Sequence, residues 1–299
     1  MKIVLTGSLG HISKPLATTL VQKGHTVTVI SSKPGKQKDI ESLGATAAIG
    51  SLEDVDFLTT TFTGADAVYT MVPPNNYFDH SFDLLAHYRG LGHNYADAVE
   101  KSGVKRVVNL STIGAHLEKG SGILIGAHDV EHILNGQLPG IAITHMRPTS
   151  FYYNLYGYVD MIKNTGHISA NYGGENVVPW VSPIDIAAAI ADELETPLAG
   201  SKVRYVGSEE LTGNEVAAIL GAAIGKPELK WIIISDEQTQ SGLEMAGMQP
   251  RIAAGLVEMY SGLHSGLLAA DYYRNKPAVM GKVKMTDFAK EFAAVFNQK

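Results

Sequence analysis

Lys2-Ile3-Val4-Leu5-Thr6-Gly7-Ser8-Leu9-Gly10-His11-Ile12-Ser13 decides the fold: an apolar run turns through two glycines and leads into a helix that begins near Ile12. That is the sequence form of a first strand, a phosphate-binding turn and a first helix. Glycine permits positive φ and a close approach of ligand to backbone, and the free amides and positive dipole end of the following helix attract a pyrophosphate. A dinucleotide turn is therefore expected. The spacing is Gly7-x-x-Gly10-x-x-Ser13, not G-x-G-x-x-G, with serine where a third glycine would let helix and strand pack closely. Taken alone, the stretch also fits a plain strand-to-helix turn of an α/β fold.

The chain beyond it repeats the same alternation. Thr26-Val27-Thr28-Val29-Ile30 is β-branched throughout and reads as a second strand. A helix over about Lys36–Leu43 stops at Gly44. Ala47-Ala48-Ile49 is a short third strand, and Ser51 is expected to cap a helix running to Thr61, with Asp54 near its positive end. Ala67 to Val72 is a fourth strand broken by Pro73-Pro74; a long helix over about Ser81–Ser102 closes at Gly103. Val104 to Leu110 is a fifth strand carrying Ser111-Thr112 at its carboxyl end, followed by a helix near Ala127–Leu134 and a sixth strand, Ile141 to Met146. Each parallel return needs a crossover, so the pattern predicts an α/β Rossmann-type doubly wound parallel sheet over residues 1–150. Ligands bind such sheets beyond the carboxyl ends of the strands. Gly7 to Ile12, Ser31 to Lys33, Ser51 with Leu52, Met71 to Pro74 and Ser111-Thr112 should thus ring one crevice.

Residues 151–299 read as a smaller, mostly helical substrate region with mixed α/β elements, and segments of about 176–206 are expected to return to the main sheet. Phe151 to Tyr158 places five aromatics in eight residues, as a core helix or as a pocket wall, with burial the first use of such a cluster. Ser182-Pro183-Ile184-Asp185 starts a helix with a cap and a first-turn proline. Val203–Val206 and Trp231–Ile234 read as strands; Thr212-Gly213-Asn214-Glu215 and Ser235-Asp236-Glu237-Gln238 are capping boxes.

Composition narrows the function classes. A 299-residue chain with 45% hydrophobic and 18% charged residues can bury a sizeable core and has no bias to disorder. A net charge of −6 argues against a nucleic-acid surface. With no cysteine, thiolate metal sites and disulfides are excluded. No apolar run reaches membrane-spanning length, and Met1-Lys2 passes straight into strand pattern without a cleavable signal, so a cytoplasmic location without membrane partner is expected. His128 and His132 lie one helical turn apart, but no third ligand is identifiable and no metal is expected. Either imidazole could instead face the crevice as a proton donor. His11 lies over the pyrophosphate or faces solvent, solvent being favoured. No G-x-S-x-G nucleophile elbow occurs.

Several of these stretches together resemble the atypical short-chain dehydrogenase/reductases, most closely the NmrA-like branch with its quinone, triphenylmethane-dye and isoflavone-type reductases. The resemblance rests on Thr6-Gly7-x-x-Gly10, Gly50-Ser51-Leu52, Leu110-Ser111-Thr112, His145-Met146-Arg147-Pro148 and Ser182-Pro183-Ile184-Asp185-Ile186-Ala187, in that order along nearly the whole chain. In the wider family a Tyr-x-x-x-Lys pair after the fifth strand moves the proton. Matching the Glu-x-x-Leu that follows that pair to Glu131-x-x-Leu134 puts Ile123 and Ala127 in its slots, and neither can move a proton. Tyr272-x-x-x-Lys276 has the spacing but lies far beyond the fifth strand, where coincidence explains it. The NmrA-like branch commonly lacks the pair.

The cofactor expected from these residues is NADP(H), with NAD less favoured. Ser31-Ser32-Lys33 ends the second strand without the carboxylate that would bind the ribose hydroxyls of NAD, and Lys33 with Ser32 suits a 2′-phosphate. The resemblance and the crevice imply a binding set of Gly7, Ser8, Leu9, Gly10, His11 and Ile12 at the pyrophosphate, Ser32 and Lys33 at the phosphate, and Ser51, Leu52, Met71, Val72 and Pro73 along the middle. Ser111, Arg147, Pro148 and Thr149 would support the nicotinamide side. Catalytic candidates are Ser111, His128 and Tyr153, with Tyr77 and its aromatic neighbours shaping an acceptor pocket. The expected function is NADPH-dependent reduction of a small conjugated or electron-poor acceptor such as a quinone. The alternative is a non-catalytic NADP(H)-binding redox sensor. A homodimer stays open.

Overall fold

The computed structural model describes residues 1–197 and 200–298. Its centre is a seven-stranded sheet built from β1 (Lys2–Leu5), β2 (Thr26–Ser31), β3 (Thr46–Ile49), β4 (Ala67–Thr70), β5 (Arg106–Leu110), β6 (Ala142–Pro148) and, much later in the chain, a strand at Lys202–Val206. Every pairing is parallel, and the order puts β1 between β4 and β2, with β3 at one edge and Lys202–Val206 at the other. The connection reverses direction at β1, so the crevice opens beyond the carboxyl ends of β1 and β4.

Helices cover both faces because the strands are apolar on both. On one side α1 (Ser13–Gln22), α2 (Gln37–Ser42) and, from the second half, Pro183–Glu195 pack Leu16, Leu20, Ile40, Ile186 and Ile190 onto the sheet. On the other, α3 (Val55–Phe62), α4 (Leu84–Ser102) and α5 (Ile125–Gln137) bury Leu58, Phe62, Leu91, Tyr95, Val130 and Leu134. The first helix begins at Ser13, one residue beyond the expected start. Ser51 does not cap α3: Asp54 does, its carboxylate accepting from Phe57 N–H at 3.0 Å, while Ser51 Oγ serves the nearer Glu53 amide at 3.1 Å. An extended Asp54 already brings its short carboxylate to the third amide of the helix, so a cap three residues earlier is out of reach.

The second half folds over the carboxyl end of this sheet. β7 (Ser150–Phe151) and β8 (Ile168–Ala170), with α6 (Val159–Thr165) between them, precede β9 (Val177–Val181), α7 (Pro183–Glu195) and β10 (Lys202–Val206). β11 (Glu209–Thr212), α8 (Gly213–Ala223) and β12 (Trp231–Ile233) follow, then α9 (Asp236–Met245), α10 (Pro250–His264), α11 (Ala270–Arg274) and α12 (Met285–Phe296). β10 joins the main sheet beside β6. Val177–Val181 does not: it pairs with β7 and β11 in a separate three-stranded sheet. Thr212 and Ser235 close the two capping boxes read from the sequence.

Tyr152–Tyr158 forms 3₁₀ turns that serve two purposes. Tyr152 and Leu155 are buried in the second core, where Tyr152 and Tyr156 lie against Phe288 of α12. Tyr153 points the other way, into a cavity.

Candidate functional site

The turn after β1 is built for close approach. Gly7 has φ +87°, and a Cβ placed on it would stand 2.5 Å from Ser13 Oγ and 3.1 Å from Met71 Sδ, so only glycine fits. Ser8, at φ +52°, is the one non-glycine residue with positive φ among the described residues. Its hydroxyl donates to Ser31 Oγ at 3.0 Å and its amide to Ile30 O at 3.1 Å, which ties the turn to the end of β2. Gly10 N–H closes the turn on Gly7 O at 3.1 Å. Ser13 replaces the third glycine with a bond: its buried Oγ donates to Thr6 O at 3.0 Å, fastening α1 to β1. Ile12 occupies the N-cap of α1 and offers no side-chain acceptor, which leaves the positive end of the helix open to an anion.

Around this turn the expected residues fall into two groups. Ser32 and Lys33 are exposed at the carboxyl end of β2, and Lys33 takes part in no ion pair among the described residues. Ser51 and Leu52 follow β3; Ser51 is exposed and Leu52 turns into the core, its carbonyl accepting from Asn94 Nδ2 at 3.2 Å. Met71 is pinned twice, its amide donating to Thr6 Oγ1 at 3.0 Å and its carbonyl accepting from Tyr95 Oη at 2.6 Å.

Ile12, Met71, Val72, Ser111 and Thr149 line a cavity of about 440 Å³ that runs from the glycine turn towards the second half. Its other walls come from Tyr77 and Tyr88, from Ile123 and Ala127, from Tyr153 and Tyr158, and from Leu256, Met259 and Tyr260 of α10. Not one lining residue carries a formal charge. Burial pushes the phenols of Tyr77 and Tyr153 above their ordinary value near 10 and that of Tyr260 up to about 12, so all stay protonated at neutral pH. Tyr153 also stacks on exposed His11, with ring centroids 4.9 Å apart. The imidazole itself does not line the cavity.

Beneath Ser111 lies a buried ionic cluster that no local pattern announces. Ser111 Oγ donates to Glu131 Oε1; Arg147 holds the same carboxylate in a fork, Nε to Oε1 at 2.9 Å and Nη2 to Oε2 at 2.6 Å. Arg147 reaches on to Tyr205 Oη at 3.3 Å and Asp271 Oδ2 at 3.4 Å. Two consequences bear on the residues expected at the nicotinamide side. Arg147 does not line the cavity with Thr149: its fork to Glu131 of α5 holds it in a second cleft with Tyr205, Asp271 and Val279. Ser111 has its proton committed to Glu131 and meets the cavity as an acceptor. Pro148, the last residue of β6, lies off the cavity, while Thr149 Oγ1 is buried with no hydrogen-bond partner among the described residues.

His128 is also turned away. Its Nδ1 bonds Ala115 O at 2.9 Å and its ring lies tilted against His132, centroids 4.0 Å apart, outside the cavity lining. No group of three or more His, Asp or Glu side chains fit to hold a metal occurs among the described residues. Tyr272 and Lys276 share Glu210, at 3.0 and 2.8 Å, and neither lines the cavity. Sequence reasoning missed Tyr88 and the α10 wall. The signal for α10 was the apolar recurrence Ile252, Leu256, Met259, Leu263 after Pro250. That helix reaches the site because Gly122, at φ +55°, touches Gly255: a Cβ on Gly122 would lie 1.8 Å from Gly255 O.

Comparison with known proteins agrees with this arrangement. The model of a family described as NAD(P)H-binding matches residues 7–197. The NAD(P)H azoreductase of Xenophilus azovorans is 28% identical over 297 residues, spanning 98% of this chain and 99% of that protein. The NADPH-dependent quinone oxidoreductase of Escherichia coli, solved with NADPH, superposes with a TM-score of 0.82 at 19% identity, covering 99% of this chain and 100% of that one. The triphenylmethane reductase of Citrobacter sp., solved with NADP(H), gives 0.78 at 18% identity over 97% and 99% of the two chains. At such identities the structural likeness is one of fold. No helix among the described residues is long and apolar enough to cross a membrane.

Proposed function

We propose, for a chain that belongs to the NAD(P)H-binding family as an NmrA-like atypical short-chain dehydrogenase/reductase, NADPH-dependent reduction of a small, neutral, conjugated acceptor such as a quinone or an azo compound. One observation carries the reading: an uncharged, tyrosine-walled cavity of about 440 Å³ opens directly from a glycine turn shaped for a dinucleotide. A largely apolar cleft with a few convergent hydroxyls suits a planar apolar ligand.

The residues present fit the dinucleotide. Gly7 leaves a cradle that a Cβ would fill, Ile12 leaves the first turn of α1 open, and Ser32 with Lys33 stands free at the end of β2. These groups would hold the pyrophosphate and the 2′-phosphate, the latter favouring NADPH over NADH because no carboxylate stands at that strand end. Leu9 and Gly10 would complete the turn, with Ser51, Leu52 and Met71 to Pro73 beside the middle of the cofactor. Ser111 as an acceptor and Thr149 as an unpartnered hydroxyl would hold the amide at the nicotinamide end. When bound, NADPH supplies a hydride.

Reduction of a quinone to a hydroquinone takes that hydride and one proton. Tyr153 is the group suited to give the proton, because its phenol is neutral, lines the cavity and lies beside solvent-facing His11, past which it can be reprotonated. Ile123 and Ala127, in the slots of the usual Tyr-x-x-x-Lys pair, reach the same cavity and bring only hydrocarbon to it. Acceptors that accept hydride readily need positioning more than a strong acid. The test is NADPH oxidation by the purified protein against neutral quinones, azo compounds and triphenylmethane dyes. Acceptor-dependent oxidation is expected; tight NADPH binding with every acceptor left unreduced would replace this reading with a dinucleotide-binding redox sensor.

A further inference from the structure

The segment Val72–Asp83, which joins β4 to α4, brings Tyr77 to the cavity and is fastened differently at its two ends. At the start, the bonds of Met71 to Thr6, just after β1, and to Tyr95 of α4 anchor it beside the glycine turn. At the far end one residue from the other half of the chain makes most of the fastening, beside a single contact of His80 Nε2 with Gly247 O at 3.3 Å. Gln249 donates its backbone N–H to Tyr77 O at 3.0 Å, and its side-chain Nε2 lies 2.7 Å from Phe82 O, 3.2 Å from Asp79 O and 3.3 Å from His80 O.

Gln249 is buried, at 7% exposure, and stands at the N-cap of α10 with Pro250 fixing the first helical residue. A carboxamide NH₂ has two protons, shared here among three carbonyls whose dipoles converge on it. Taking that donor away leaves the carbonyls of a tight turn facing one another in a partly dry space, which costs more than the bond itself contributes. The same residue sets the start of α10, whose Leu256, Met259 and Tyr260 form the facing wall. One residue, through its backbone N–H and its carboxamide together, thus ties the Tyr77 segment to the start of the facing wall.

We propose that Gln249 is a positioning residue for the acceptor: it holds Tyr77 against the α10 wall and so sets the width of the cavity, with no part in binding the dinucleotide. The use of that width rests on the reductase reading; the fastening itself does not. The separation follows from the double anchor at Met71, which keeps the cofactor side of the segment in place when the far end is released.

The test compares full-length wild type with Q249M, which keeps the length and removes the donor, and Q249E, which puts an acceptor in its place. Hydrogen exchange over residues 75–83 should quicken in both variants while residues 6–13 exchange as in wild type. With 2-methyl-1,4-naphthoquinone as acceptor, KM should rise about 10-fold with kcat and the NADPH Kd changed by less than about twofold. Acidifying Q249E should recover part of the KM, since a protonated carboxyl regains one donor. Unchanged exchange over 75–83 overturns the proposal. So does a rise in exchange across the whole chain together with loss of NADPH affinity, which would mark Gln249 as a general stabiliser. If the wild type reduces no acceptor the reductase reading fails, and the exchange pattern by itself decides whether Gln249 positions the segment.

Discussion

The two ends of the site are made of different material. The proposed cofactor end is chiefly backbone: Gly7 to Ile12 form its turn from six consecutive residues, with Ser8 and Ser13 bonding it to β2 and β1. The proposed acceptor end is side chains, gathered from Tyr77 and Tyr88, Ser111 and Ile123, Thr149 and Tyr153, and the face of α10. A backbone site fixes what it binds through the geometry of one turn and tolerates little change. A side-chain site on separate elements can change its ligand by substitution at any wall while the fold persists. The contrast explains how one fold can keep its nucleotide and vary its acceptor.

The largest expected effect falls where the two ends meet. Glu131 holds Ser111 at the cavity and neutralises Arg147, whose side chain is 8% exposed. Glu131→Ala leaves that cation buried, with only the longer contact to Asp271 as counter-charge, and should cost about 3–5 kcal/mol in urea unfolding. An unchanged midpoint would mean that buried Arg147 does not depend on Glu131 for its counter-charge. Gly7→Val comes next. Its Cβ meets Ser13 at 2.5 Å in a positive-φ position, so NADPH affinity should fall about 100-fold by calorimetry, some 2.7 kcal/mol. Acceptor KM measured at saturating NADPH should move far less; equal losses in both would erase the distinction between the ends.

Charge reversal at Lys33 is a milder test of the cofactor end. Lys33→Glu should weaken NADPH about 30-fold and leave NADH nearly unaffected, because only the former carries the 2′-phosphate. The smallest effect belongs to the acceptor end. Tyr153→Phe should lower kcat about 10-fold with little change in KM. Since burial raises the Tyr153 phenol above 10, the donor is protonated throughout the neutral range, and wild-type kcat should stay level with rising pH until beyond that value. A fall near neutral pH would point to a histidine as the donor.

This contrast also governs what could be read in the sequence. The strand–turn–helix at Gly7, the alternation of the first six strands with helices that implies a parallel sheet, and the capping boxes at Thr212 and Ser235 are local patterns, carried by neighbouring residues. The acceptor walls are not. Tyr153 stood out within an aromatic run, but nothing nearby distinguishes Tyr152, which faces the core, from Tyr153, which faces the cavity. Arg147 and Thr149 look equivalent at the end of β6, yet the partner that turns Arg147 away is Glu131 on a helix. Ser51 could have capped α3 by residue type, and only the backbone at Asp54 decides between them. Gln249 carries no signal of its role at all, since three carbonyls from residues 79–82 define it.

The most direct measurement of the central claim is steady-state oxidation of NADPH and of NADH by the wild-type protein with a neutral quinone and with its sulfonated counterpart. An uncharged cavity joined to a phosphate-ready turn predicts acceptor-dependent oxidation, with kcat/KM higher for NADPH than for NADH and higher for the neutral quinone than for the sulfonate. Binding of NADPH without oxidation by either quinone, or preference for the charged acceptor, would contradict it.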